Sequence, residues 1–423
     1  MKNLNKFLFA ISLAVLLILP GSPIEQEKTV QEHAKSASLD EKIPIGPHVT
    51  VGQFDNGFTY FIRENKRPEN RAELRLVVNA GSTLEDDDQL GLAHFLEHMA
   101  FNGTKNFEKH KLIEFMESIG MRFGPGLNAY TSFDETVYML TIPTESSEVM
   151  ETAFKILEDW SHALLLENEE IDKERGVIVE EWRLGRGAFA RMRDKQFPIL
   201  LKDSRYAERL VIGKKEIIEN FKYKVLKRFY KDWYRPDMMA VLAVGDFDKS
   251  RVKALIEKHF SALPMPKKTR PRQIFEIPDH KETLFAIATD KEATGTSVSV
   301  YHKHPLREMD TVGAYRERVV EGIYNGMLNQ RFNELSQKPD PPFIYAYSSR
   351  GPFLRSKEAY TLSASVKEDG IERGLDTLLT ESERVSRFGF TESELERQKL
   401  RNLRAIERAY AERDKTESYR YVS

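Results

Sequence analysis

The sequence predicts an α+β fold made of two similar α/β units, each with a mostly antiparallel sheet packed against helices. A hairpin signal opens the patterned part of the chain at residues 49–62, where two apolar strands flank Asp55-Asn56-Gly57. Long helical patterns alternate with strands after this hairpin, and the same order recurs loosely beyond a proline-rich stretch. With 423 residues, the chain is long enough for each unit to have its own core.

The N-terminal residues have the pattern of an export signal. Lys2 and Lys6 precede an apolar run at residues 7–19, which is short for a transmembrane helix. We expect residues 1–22 to be a signal peptide or an N-terminal anchor, and residues 23–45 to be a flexible spacer. The protein is therefore expected to be exported, with membrane attachment only through an uncleaved anchor.

The first predicted domain covers residues 46–263 and contains the metal motif described below. After the hairpin, it has predicted strands at 72–78, 127–132, 135–142 and 238–244, and helices at 108–119, 147–165, 168–193, 225–233 and 249–260. Residues 264–282 are rich in proline and basic side chains, and we interpret them as a linker.

The second predicted domain covers residues 283–423 and has no second copy of the metal motif. Its predicted strands are 284–289, 297–301, 344–350 and 359–366, and its predicted helices are 310–335 and two more. The last helix opens with Thr391 and Glu394, the spacing of a capping box.

Charge and cysteine content exclude some classes of function. The 64 basic and 66 acidic residues nearly cancel, so the chain lacks the basic excess of a nucleic-acid-binding protein. There is no cysteine, which rules out disulfides and thiolate metal ligands. A zinc ion could be bound only by nitrogen and oxygen atoms.

The motif His94-Phe95-Leu96-Glu97-His98 is the most informative feature of the chain. Two histidines four residues apart lie on the same helix face, and together they can bind one metal ion. Glu97 lies on the same side, where it could take a proton from water. This H-x-x-E-H pattern is the inverted form of the zinc-peptidase helix. The alternative is a pair of core histidines, each of which would need a buried hydrogen-bond partner.

A third ligand is needed, because catalytic zinc normally has three protein ligands and a water. The segment 174–183 offers acidic residues on a helical pattern. Glu174 and Glu181 are seven residues apart and share a face, whereas Glu180 lies about 100° away from Glu181. Geometry alone leaves Glu180 and Glu181 as alternatives.

Two other polar groups receive structural interpretations. Asp86, Asp87 and Asp88 precede the motif helix, where negative charge favours a helix N-terminus, and we expect capping and solvation there. His302 and His304 alternate on one strand face without an acidic partner nearby, and we expect surface or packing roles for them.

The segment 91–142, together with residues 174–183, resembles the pitrilysin/insulysin family of zinc peptidases, especially its bacterial PqqL-like branch. The matching stretches are GLAHFLEHM at 91–99, NAYT at 128–131, YRPDM at 234–238 and VGD at 244–246. The resemblance extends from about residue 43 into the second unit. It implies a clamshell peptidase, of which this chain matches the N-terminal, metal-bearing half.

The resemblance also implies roles for single residues. His94, His98 and Glu181 would bind one zinc ion, and Glu97 would be the general base. Glu174 takes the family's supporting acidic position. One departure is that the interval from His98 to Glu181 is longer than in the best-known members.

The resemblance further implies how substrate binds and what the chain lacks. Asn128, Ala129 and Tyr130 would form the edge strand that pairs with an extended peptide or unfolded protein. The residues alone leave an ordinary core strand as the alternative, because aromatic alternation is common in strands. Family members have a second half that supplies an arginine and a tyrosine, so we expect a truncated gene, a separate partner half or a homodimer. The expected function is zinc endopeptidase in the periplasm, either free or anchored to the membrane. The alternative is a non-catalytic or incomplete zinc-binding half that needs a partner.

Overall fold

The computed structural model of the protein describes residues 38–122 and 124–422. The predicted α+β class, with helices packed on mostly antiparallel sheets, is confirmed. The described residues form two compact units, the first with residues 46–290 and 415–422 and the second with 38–45 and 291–414. The predicted signal peptide and most of the predicted spacer lie outside the described residues.

The domain boundaries inferred from sequence stay predictions, but the predicted linker has a defined place in the structure. Residues 264–290 belong to the first unit. Arg270 forms an ion pair with Asp86, and Arg272 forms one with Asp134. These contacts attach the proline-rich segment to the unit that contains the metal motif.

Six strands of the described chain form the sheet of the first unit, in the order β1-β2-β6-β3-β5-β4. The β2–β6 pair is parallel and the other pairs are antiparallel. Strand β4 is at one edge, so one side of its backbone is not paired within the sheet. The strands are β1 (Val49–Gln53), β2 (Thr59–Glu64), β3 (Arg71–Val78), β4 (Leu127–Thr131), β5 (Thr136–Pro143) and β6 (Met239–Gly245).

The helices of the first unit share one apolar core with this sheet. Leu74 and Leu76 of β3 and Phe95 and Leu96 of the motif helix are fully buried in the same cluster. The motif helix α1 contacts β4 and β5 as well as helices α4 and α7. The helices are α1 (Leu92–Met99), α2 (Lys111–Ser118), α3 (Ser147–His162), α4 (Asn168–Leu184), α5 (Ala188–Leu200), α6 (Lys215–Asn220), α7 (Tyr223–Trp233) and α8 (Lys249–Phe260).

The second unit has a smaller sheet within the described residues, with the antiparallel order β7-β9-β8. Its core includes Leu328, Phe332, Phe343 and Leu362. The predicted capping box at the start of the last helix is confirmed. The elements are β7 (Thr296–Pro305), β8 (Tyr345–Leu354), β9 (Lys357–Val366), α9 (Val312–Ser336), α10 (Ile371–Phe388) and α11 (Glu392–Ala411). None of the described helices has the length and apolarity required to cross a membrane.

Two secondary-structure predictions are wrong. The single helix predicted at 168–193 is two helices, because Gly185 ends α4 and Gly187 precedes α5 in an extended conformation. The strand predicted at 284–289 does not form. Phe285 and Ile287 supply the alternating apolar pattern, but they are 75% and 84% exposed. An alternating pattern makes a strand only where a sheet edge pairs with it.

Candidate metal centre

The motif helix α1 is anchored at its N-terminus by a carboxyl group that could not be identified from the sequence. Glu85 is fully buried, and it accepts hydrogen bonds from the backbone N–H groups of Gly91 (3.0 Å) and Ala93 (2.8 Å). These N–H groups would otherwise be unsatisfied at the helix start. Gly91 has φ of 97°, and a Cβ there would lie 3.0 Å from the Cα of Gly213. Both the dihedral and the close approach therefore require glycine.

The capping role expected for the three aspartates is wrong, because Glu85 occupies that position. Asp86 pairs with Arg270, Asp87 with Arg209 and Asp88 with Arg228. Their negative charge is compensated by arginines rather than by the helix N-terminus. These side chains are not part of a metal-ligand cluster in the described chain.

His94, His98 and Glu181 come together at one point, with ligand atoms within 4.8 Å of one another. The Nε2 atom of His94 is 3.6 Å from Oε1 of Glu181, and Nε2 of His98 is 3.4 Å from Oε2. Bonds of about 2.0–2.1 Å to one tetrahedral zinc place two ligand atoms roughly 3.3 Å apart. The two imidazoles and one carboxylate therefore fit the donor set of a three-ligand zinc site, and the two histidine–glutamate distances are close to its spacing.

The structure separates the two glutamates that sequence geometry left as alternatives. Glu181 faces the histidines from helix α4. Glu180 forms an exposed ion pair with Arg183 on the same helix, and it belongs neither to the metal-ligand group nor to the cavity lining of the described residues. The position of Glu181 agrees with the ligand assignment implied by resemblance.

Glu174 fixes the orientation of His98. Its Oε1 accepts a hydrogen bond from Nδ1 of His98 at 2.8 Å, and its Oε2 accepts one from the side-chain amide of Asn102 at 2.7 Å. A proton on Nδ1 leaves the Nε2 lone pair of His98 free for a metal ion. Asn102 was not identified from the sequence. Nδ1 of His94 is buried, and none of the described residues provides a hydrogen-bond partner for it.

The two histidines have different proton affinities without a metal. Burial lowers the pKa of His94 to about 4, and the nearby charge of His98 adds to this effect. Burial also acts to lower the pKa of His98, but hydrogen bonds and charges from Glu174 and Glu181 outweigh it and raise the pKa to about 9. The hydrogen bond to His98 lowers the pKa of Glu181. At neutral pH, the metal-free site therefore has one protonated imidazole and one neutral imidazole.

Glu97, the predicted general base, is 7% exposed on α1. Its Oε2 accepts a hydrogen bond from the hydroxyl of Thr131 at 2.6 Å. Burial raises the pKa of Glu97, and the bond from Thr131 opposes this shift. Thr131 was not predicted as a site residue, although it ends the NAYT stretch.

These groups line a cavity of about 1060 Å³ in the first unit. The edge strand β4 forms part of its wall through Asn128, Ala129 and Tyr130, and Tyr130 is 44% exposed. Phe101 and Phe197 add apolar surface. The cavity thus brings together the predicted ligands, the predicted base and the predicted substrate strand.

His302 and His304 lie on β7 of the second unit and belong to no metal-ligand group among the described residues. The ring of His302 is near that of Tyr360. This contact suits the packing role expected from the sequence.

Family comparisons cover both parts of the chain. Residues 60–184 match the model described as insulinase (peptidase family M16), and residues 220–402 match the peptidase M16 inactive domain. The first match contains the motif helix, β4 and all of α4.

Individual relatives are similar over almost the whole chain. A protein named zinc protease PQQL-like from Arabidopsis thaliana is 37% identical, with 90% of this chain and 37% of that protein covered. A probable zinc protease PqqL from Escherichia coli is 32% identical, covering 96% of this chain and 42% of that protein. The chain spans about two fifths of the length of these curated relatives.

A solved structure is also similar. The first half of the periplasmic protease PqqL from Escherichia coli superposes with a TM-score of 0.80 at 30% identity. The alignment covers 90% of this chain and 81% of that one.

Proposed function

Because the chain belongs to the insulinase family of peptidases (family M16), we propose that it is the metal-bearing half of a zinc endopeptidase that hydrolyses peptides or partly unfolded proteins. The observation that carries this proposal is the convergence of His94, His98 and Glu181 around one point, with Glu97 lining the same cavity. Zinc proteases among the relatives support the choice of metal.

His94, His98 and Glu181 would hold the zinc ion, which would supply Lewis-acid chemistry for the scissile carbonyl and make the attacking water more acidic. Glu97 takes a proton from the attacking water and delivers it to the leaving amine. Water and the peptide bond are consumed, and a carboxyl and an amine group are formed. Glu174 holds His98 in the tautomer with a free Nε2.

Strand β4 is the proposed substrate-binding element. Its outer edge is not paired within the sheet, and Asn128, Ala129 and Tyr130 line the cavity. An extended peptide added at this edge would gain main-chain hydrogen bonds without a demand on its sequence. Tyr130 would then contact a substrate side chain.

A second half and an exported location complete the proposal. The relatives are more than twice as long as this chain, and the similar solved structure is the first half of a periplasmic protease. We expect a second half to supply the arginine and tyrosine implied by family resemblance. Periplasmic location agrees with the signal pattern in residues 1–22.

The second candidate function is a non-catalytic zinc-binding half that supports a partner. The match of residues 220–402 to an M16 inactive domain is the observation that favours it. The complete H-x-x-E-H motif favours the catalytic alternative, since a purely structural zinc site has no use for a buried base beside it.

Glu97→Gln tests the catalytic proposal. Glutamine has nearly the same shape but cannot take a proton from water, so bound zinc should remain at about one per chain. Peptide hydrolysis by the chain, assayed together with a C-terminal half from a full-length relative, should fall by about 10² or more. The matched control is Glu180→Gln, which changes an exposed glutamate on α4 and should leave turnover unchanged. Equal turnover of Glu97→Gln and wild type would refute the role of Glu97.

A further inference from the structure

The carboxylate of Glu97 has two oxygens, and the proposed proton transfer needs only one of them. Oε2 of Glu97 accepts the 2.6 Å hydrogen bond from Thr131, whereas Oε1 has no hydrogen bond within the described part of the chain. Glu97 lines the cavity, and the two oxygens of a carboxylate are chemically equivalent, so without a fixed contact either oxygen could face the cavity. The contact with Thr131 distinguishes the two oxygens.

Neighbouring groups determine the direction of this hydrogen bond. The hydroxyl of Thr136 donates its single proton to the backbone carbonyl of Ala80 at 3.0 Å. It lies 3.4 Å from the hydroxyl of Thr131, and it can only accept there. Thr131 therefore has its proton available for the much closer carboxylate, which accepts when it is ionised.

The backbone that holds Thr131 is fixed by the turn that follows it. In this turn, the carbonyl of Phe133 accepts hydrogen bonds from the N–H and the hydroxyl of Thr83, at 2.9 and 2.7 Å. The buried Asp134 accepts hydrogen bonds from Tyr206 at 2.9 Å and from Arg272 at 3.2 Å. These hydrogen bonds hold the turn after Thr131, and they therefore constrain the position of the Thr131 hydroxyl.

We propose that Thr131 is a positioning residue that occupies Oε2 of Glu97 and leaves Oε1 as the oxygen that takes the proton from water. The inference rests on the proposed function, in which Glu97 is the base. Thr131 is the last residue of β4, directly after Asn128, Ala129 and Tyr130. One strand therefore orients the base and offers its edge to the substrate.

The test measures binding of a zinc-chelating peptide hydroxamate to the zinc-loaded chain by calorimetry. The hydroxamate group presents an acidic proton to the base, so binding reports on Glu97 without any turnover. Thr131→Val keeps the shape and the β-branching but removes the donor. We expect it to weaken hydroxamate binding by about tenfold, as loss of a hydrogen bond to a charged group does. Thr131→Ser should retain most of the affinity. Thr131→Ala also removes the hydroxyl but adds no methyl group, so it should lose as much affinity as Thr131→Val and show that the loss does not come from a disturbance of the strand by valine.

A double-mutant cycle separates positioning of Glu97 from general damage. In the Glu97→Gln background, Thr131→Val should cause no further loss, because the hydroxyl acts through the carboxylate. Zinc content should remain at about one per chain in every variant. The control is Thr141→Val, which removes another threonine–glutamate hydrogen bond, to Glu73, outside the cavity lining. It should bind the hydroxamate like wild type.

Three results would overturn the inference while leaving the proposed function in place. They are wild-type affinity in Thr131→Val, equal losses in the serine and valine variants, or a full further loss in the Glu97→Gln background. Failure of the zinc-loaded wild type to bind the hydroxamate at all would instead overturn the proposed function, and the inference with it.

Discussion

At the scale of single residues, the metal-free site contains a proton that a metal ion must displace. The pKa of His98 is raised to about 9, above its usual 6.5, whereas that of His94 is lowered to about 4. Between pH 6 and 8, His98 is therefore protonated and His94 is neutral. A metal ion needs the Nε2 lone pair of both rings, so its binding releases one proton.

We predict that zinc affinity rises by about tenfold for each pH unit between pH 6 and 8, because one proton leaves per ion bound. Competition with a chromophoric chelator at several pH values measures this slope. In Glu174→Gln, the charge that helps to raise the pKa of His98 is lost, so the slope near pH 8 should become smaller. An affinity that does not change with pH would show that His98 is not the protonated ligand.

Several of these residues could be predicted from the sequence and others could not. The spacing of His94, Glu97 and His98 within one helix is enough to place their side chains on the same side of that helix. The choice between Glu180 and Glu181 depends on how α4 is rotated against α1, and only tertiary packing determines this. Thr131 and Asn102 act through contacts with residues far away in the chain, 34 and 72 positions distant. Local periodicity has no information about such contacts.

At the scale of elements, helix α1 depends on the buried carboxyl group of Glu85. Burial raises the pKa of Glu85 to about 8, against the lowering effect of the N–H groups of Ala93 and Gly91. The folded-state pKa is thus above the unfolded value of about 4.3. The stabilisation from proton binding at Glu85 is complete below that value and is lost as pH rises through about 8.

We predict that Glu85→Gln is less stable than wild type by about 1–3 kcal/mol at pH 5, because an amide nitrogen replaces one of two acceptors. The difference should become smaller from pH 5 to 8, since only the wild type loses stability by ionising this group. Urea unfolding of both proteins at each pH measures this difference in the free energy of unfolding. The control is Asp86→Asn, whose pKa is lowered by Arg270, so its difference from wild type should be constant over this range. If the difference between Glu85→Gln and wild type stayed constant over this range, the pKa of Glu85 would not be raised in the folded protein.

Element boundaries show where sequence patterns stop being sufficient. The capping box at Thr391 is a local hydrogen-bond pattern, and it was predicted correctly. The segment 284–289 has the alternation of a strand, yet whether it pairs depends on a free sheet edge elsewhere. The break between α4 and α5 follows from Gly185 and Gly187, two weak helix formers that the helical periodicity of their neighbours obscured.

At the scale of the whole molecule, this chain corresponds to about two fifths of its curated relatives. Loss of one oxyanion-stabilising donor typically reduces the rate by 10²–10³. We therefore predict that the chain alone cleaves a short fluorogenic peptide slowly or not detectably. Addition of a separately expressed C-terminal half from a full-length relative should raise the rate by about 10² or more. A monomeric chain, confirmed by light scattering, that cleaves as fast alone as with the added half would contradict the two-half account.

Zinc-edge X-ray absorption of the purified, zinc-loaded chain shows whether His94, His98 and Glu181 form one zinc site. We expect about one zinc per chain, with two imidazoles and oxygen ligands at about 2.0–2.1 Å. His98→Ala should lose this metal while keeping its circular dichroism spectrum, whereas Glu180→Gln should keep both. A spectrum without imidazole scattering, or stoichiometric zinc retained in His98→Ala, would show that these residues are not the zinc ligands.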